Sequence, residues 1–65
     1  MPQDEAKKAL SQNERMKIFL ALVEAQDGGM TVVGSRKAMA GRFGVSEQQV
    51  QKIEQEGLDD NWPPL

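Results

Sequence analysis

Arg36-Lys37-Ala38-Met39-Ala40-Gly41-Arg42-Phe43-Gly44-Val45-Ser46-Glu47-Gln48-Gln49-Val50-Gln51-Lys52-Ile53-Glu54-Gln55 sets small, turn-forming and apolar residues at the spacings that two crossed short helices require. Ala40 falls where the helices would cross, and a larger side chain there would push them apart. Gly44 falls in the tight turn, where a positive φ is easiest for glycine. Met39, Phe43 and Val45 on one side, and Val50 and Ile53 on the other, would face inward. Ser46 with Gln49 three residues on reads as a capping box. The pattern predicts a helix-turn-helix with helices near 35–43 and 46–56, the first capped by Ser35 and the second stopped by Gly57.

Upstream, Ser11-Gln12-Asn13-Glu14 is a second capping-box pattern, opening a helix over about 11–26. Ile18, Phe19, Leu22 and Val23 make one apolar stripe at helical spacing. Met16 and Leu20 lie beside that stripe; they mark either a dimer face or cover for a terminal segment of the same chain. Asp27-Gly28-Gly29 ends the helix. An uninterrupted helix from about residue 3, with Ser11 inside it, is the alternative. Met30-Thr31-Val32-Val33-Gly34 is β-branched and short; without a pairing partner it reads as a loop that pins Val32 or Val33 to the core.

Residues 1–10 have helix-forming side chains but almost no apolar face, which predicts a flexible N-terminal arm or a first helical turn or two. Residues 59–65 hold two prolines and read as a C-terminal tail. The domain proper is expected over 11–58. Trp62, the single tryptophan, folds back over the small core in one reading. In the other, Trp62-Pro63-Pro64-Leu65 is a pre-ordered docking peptide. The whole is expected to be an all-α, three-helix helix-turn-helix domain.

Sixty-five residues allow one domain of modest stability. With no Cys and no His, disulfides are excluded and a zinc site is not expected. No apolar run is long enough to span a bilayer, and the N-terminus lacks the pattern of a secretory signal, so a cytoplasmic location is expected. No phosphate-cradling glycine loop and no convincing carboxylate pair is present. Neither catalysis nor a cofactor is expected. The net charge of −2 is uneven: residues 31–57 carry Arg36, Lys37, Arg42 and Lys52 against three acids, and the tail carries Asp59 and Asp60. Attraction to phosphates would therefore be weak.

Phe43-Gly44-Val45-Ser46, then Val50, Ile53-Glu54 and Gly57-Leu58, resemble the C-terminal helix-turn-helix (region 4) of bacterial RNA polymerase sigma factors. Leu10-Ser11-Gln12-Asn13-Glu14-Arg15 loosely resembles the start of the helix that precedes the motif there. The resemblance implies an all-helical domain whose second motif helix enters the major groove of double-stranded DNA, acting in transcription regulation. In such a docking, Gln48, Gln51 and Lys52 would meet base edges. Ser46 and the first-turn N–H groups would hold a phosphate. Arg36, Lys37 and Arg42 on the first motif helix would hold the backbone. The bland reading of all seven is a solvated surface. Glu47 and the acidic balance favour a different expectation: a protein-interaction module that keeps the fold without DNA. Its surface would be Met16, Leu20 and the Trp62 tail, and its partner RNA polymerase, another regulator or a second copy of the chain.

Overall fold

The computed structural model describes residues 10–65. The arm expected at 1–10 lies, but for Leu10, outside the described residues. Three helices follow in order: α1 (Gln12–Asp27), α2 (Val32–Phe43) and α3 (Glu47–Asp60). Each packs on both of the others. The chain is all-α over the described residues, as its periodicities predict.

α1 begins where the capping box places it. The Ser11 hydroxyl accepts from the Glu14 N–H, and the Glu14 carboxylate accepts from the Ser11 N–H, both at 3.1 Å. Ser11 itself is extended (φ −67°, ψ 161°), so α1 does not run through it. The helix ends at Gly28-Gly29, but the positive φ of 109° falls on Gly29 rather than on Gly28.

α2 corrects one expectation. Thr31, not Ser35, is the cap: its hydroxyl accepts from the Gly34 N–H at 3.0 Å. Val32-Val33-Gly34 is therefore the first helical turn and not a loop, and both valines are exposed rather than pinned to the core. Ser35 sits fully buried inside the helix. Its hydroxyl donates to the Val32 carbonyl (2.8 Å) and accepts from the Gln26 amide (3.0 Å), so nothing polar is left orphaned there.

The turn between α2 and α3 forms as its residues dictate. Gly44 adopts the left-handed conformation (φ 70°, ψ 33°), and the Val45 N–H donates to the Ala40 carbonyl. Ser46 caps α3 with a complete capping box to Gln49.

α3 corrects a second expectation. Gly57 does not stop it; the helix runs to Asp60, and Asn61 supplies the left-handed cap (φ 54°). Gly57 is buried because the Phe19 ring lies where its side chain would be. A Cβ built there would stand 2.7 Å from Phe19 Cγ and closer still to Cδ1 and Cε1. From the cap, the Trp62 N–H donates to the Gly57 carbonyl and turns the chain back onto the bundle.

The core has two parts joined by half-buried Phe43. Ile18, Phe19, Ile53 and Trp62 form one, with Leu10, Met16 and Val23 against it. Leu22, Met39 and Val50 form the other, lined by Ala21, Ala25, Ala38, Ala40 and Val45. Trp62 meets Phe19 edge to face at 6.0 Å, a geometry worth about 0.5–1.5 kcal/mol beyond the area it covers. The tail expected at 59–65 thus contributes a last half-turn of helix and a core residue. Met16 packs against the cluster that contains Trp62.

Candidate nucleic-acid interface

The apolar stripe of α3 is Val50, Ile53 and Gly57, all buried against α1 and α2. Successive residues of a helix turn by about 100°, so this stripe fixes what the rest of the helix presents. Gln48, Gln51, Lys52 and Gln55 fall on the opposite side, all four exposed, and border a shallow open concavity there. Leu58 and Asp59 extend the same side toward the C-terminal end, and Glu47 lies at its edge.

Glu54 and Glu56 sit on the two flanks between stripe and outer side. Each is taken by an arginine of a neighbouring helix. Arg36 of α2 donates to Glu54 through Nε (3.0 Å) and Nη2 (2.7 Å). The Gln26 amide donates to the same carboxylate at 3.3 Å, so α1, α2 and α3 meet at one acid. On the other flank Arg15 of α1 grips Glu56 through Nε (2.9 Å) and Nη2 (3.2 Å), and donates through Nη1 to the Leu10 carbonyl. These pairs are only partly shielded, with side-chain exposures of 27% and 15% for Arg36 and Glu54. Their net contribution is accordingly modest, near the 0–1 kcal/mol typical of surface pairs. Their larger effect is on charge: α3 carries five acids and one lysine, but two of the acids are neutralised away from the outer side.

The seven expected site residues divide as follows. Gln48, Gln51 and Lys52 share the outer side of α3, with Ser46 at its exposed N-terminal cap, where the hydroxyl accepts from the Gln49 N–H at 3.0 Å. Arg36 is committed to Glu54. Lys37 and Arg42 are both exposed on α2, but their spacing puts them about 140° apart round that helix. Lys37 lies on the solvent side with Val33 and Gly41. Arg42 lies on a flank, its guanidinium 5.3 Å from the centre of the Phe43 ring. No family model, curated protein or solved structure matches the chain.

The outer side differs from its neighbours in one further way. Gln49 is used in the capping box, and the Gln55 amide donates to Asp59 at 3.1 Å. Gln48 and Gln51 bond nothing among the described residues. Sequence reading missed two features here: the division of the acids between flank and face, and the engagement of Arg36. Register supplies the signal for the first, because Glu54 stands four residues beyond Val50 and one beyond Ile53, at the edge of the buried stripe; the second rests on a contact between helices. Of the residues read as a partner surface, Trp62 is 5% exposed and Met16 packs against the core that contains it, whereas Leu20 is 40% exposed. Among the described residues no group of His, Cys, Asp or Glu is placed to hold a metal ion, and no helix is long and apolar enough to cross a membrane.

Proposed function

We propose that the chain is a helix-turn-helix module that binds double-stranded DNA by laying the outer side of α3 in the major groove, in the manner of the sigma-factor region it resembles. One observation carries this reading. The second helix of the motif is anchored wholly by its inner stripe and flanks, leaving Gln48, Gln51 and Lys52 exposed together beside an N-terminal cap. Gln and Lys are side chains that meet base edges and phosphates. Lys37 and Arg42 are the α2 cations available to the backbone; with Lys52 they give at most about three phosphate contacts, hence a salt slope near −2.7. Affinity would then fall roughly 40-fold between 50 and 200 mM salt.

The test is a titration of a fluorescent mixed-sequence duplex at low salt, repeated across that range. Saturable binding with a slope of about −2 to −3 is expected. Absence of binding at the lowest salt, with helical circular dichroism intact, removes the proposal. A second reading, docking to a protein, is favoured by the exposed aliphatic run Met30, Val32 and Val33 at the start of α2. Chemical shifts that move at 30–33 on adding a protein partner, and stay still at 46–52 on adding DNA, would select it.

A further inference from the structure

Resting on the DNA reading above, we propose that the N-terminal half of α3 selects adenine, through Gln48 and Gln51 acting on neighbouring base pairs, and that the C-terminal half stays out of the groove. The glutamines of α3 are not equivalent. Gln49 closes the cap and Gln55 is held by Asp59, whereas Gln48 and Gln51 keep both amide groups open to a ligand. A primary amide presents one donor and one acceptor in a plane. Adenine presents the matching pair on its major-groove edge, an N7 acceptor and an N6 donor. Guanine presents two acceptors there, so an amide oxygen would face O6 with nothing between them.

Spacing sets the size of the site. Gln48 and Gln51 are separated by about 4.5 Å along the helix axis, against about 3.4 Å between stacked base pairs. They therefore reach adenines on adjacent pairs. Lys52 lies about 40° beyond Gln48 round the helix. It meets a flanking guanine or a phosphate. Beyond Gln55 the same side bears Asp59, with Asp60 next to it, and neither has a cation partner among the described residues. Those charges repel phosphates, so the helix enters the groove by its capped end.

The experiment is selection from a duplex pool randomised over eight base pairs, followed by titration of the winner and of its single A→G changes. Two adjacent adenine positions are expected, each losing about 5- to 150-fold on change to guanine. Gln51→Ala should flatten discrimination at one of them and Gln48→Ala at the other. Asp59→Asn with Asp60→Asn should strengthen binding to every duplex alike. Both glutamines are exposed, so melting curves of the two alanine variants serve as the folding control. Salt-sensitive binding to the pool without enrichment, or enrichment of guanine, overturns adenine selection while leaving DNA binding standing. Failure to bind the pool at low salt overturns both.

Discussion

Replacing Gly57 with alanine should destabilise the domain, although the same change at Gly41 should do the opposite. In an open helix position Gly→Ala gains about 0.5–1 kcal/mol, chiefly by restricting the unfolded chain. Gly41 in α2 is such a position: a Cβ built there meets nothing within 4 Å. At Gly57 the new methyl would overlap the Phe19 ring, approaching Cγ to 2.7 Å and two other ring atoms more closely. Phe19 is fully buried and bounded by Trp62, Ile18 and Ile53, so its ring has nowhere to go without moving the core. Overpacking of this kind costs about 1–3 kcal/mol or more, and the crowding here argues for the upper end. After the helix-propensity gain, the net loss for Gly57→Ala is about 2 kcal/mol. For a domain whose total stability is roughly 3–10 kcal/mol, that is a large share.

The assay is urea unfolding followed by circular dichroism and by the fluorescence of Trp62, whose burial makes it a reporter of the same core. Thermal midpoints should fall by about 5–15 °C for Gly57→Ala and rise by a few degrees for Gly41→Ala. Combining Gly57→Ala with Phe19→Leu should cost less than the two changes summed, because the smaller side chain leaves room for the methyl. Equal or greater stability for Gly57→Ala, or shifts of the same sign at both glycines, would refute the claim that α3 passes Gly57 through the helix to approach Phe19.

Trp62→Ala should cost about 3–5 kcal/mol, enough to leave much of the population unfolded at 25 °C, as near-ultraviolet circular dichroism or proton NMR dispersion would report. Removal of a mere tail would leave the midpoint unmoved. A double-mutant cycle on Arg36→Ala and Glu54→Ala should return a coupling of about 0.5–1 kcal/mol in urea titrations at low salt, shrinking as salt is added. If the DNA reading holds, Glu54→Gln should also free a cation and steepen the salt slope by up to about one unit in duplex titrations.

Legibility from sequence followed the reach of each interaction. Some caps and turns read correctly, because they are local: Ser11 with Glu14, Ser46 with Gln49, and Gly44 in the left-handed turn all stand where their neighbours place them, whereas the caps expected at Ser35 and Gly57 are supplied by Thr31 and Asn61. The inward residues of the motif, Met39, Val50 and Ile53, were legible from period alone. Misreadings arose where a neighbouring cap or a tertiary partner overruled a residue's own preference. The β-branched pair Val32-Val33 suggests extended chain, but Thr31 supplies a cap, and the first turn of a helix tolerates such residues on its solvent side. Gly57 suggests a stop, but its place in register with Val50 and Ile53 puts it on the packed stripe, where the absence of a side chain is what Phe19 requires. That register was visible in the sequence; the ring filling it was not. The outer residues of α3 were likewise legible as outward, while the engagement of Arg36 depends on a contact across eighteen positions in the chain.

The division of charge within α3 bounds what the module can do alone. Its acids are disposed so that Glu54 and Glu56 pair with arginines of the other two helices, and the exposed side is left with Lys52 between Glu47 and Asp59. If the DNA reading holds, three cations on two helices would give little non-specific attraction, and a single copy at physiological salt would belong at or below the weak end of the range in which such binding is measured, about 10⁻⁴ M. Two amide contacts can improve on that by specificity but not by long-range steering, because amides carry no charge. On that reading, useful occupancy of a DNA site would require a second engagement in the same complex, from another copy or from a larger protein that holds this one near DNA. Joining two engagements raises the effective concentration of the second to about the millimolar range for a short linker. With about millimolar effective concentration against a single-site Kd of about 10⁻⁴ M, a covalent tandem of two copies should bind a duplex with two sites about 10-fold more tightly than one copy binds one site, and more tightly still where the amide contacts strengthen each engagement. Equal affinity for tandem and single copy, over several linker lengths and site spacings, would mean that α3 does not lie in the groove as argued.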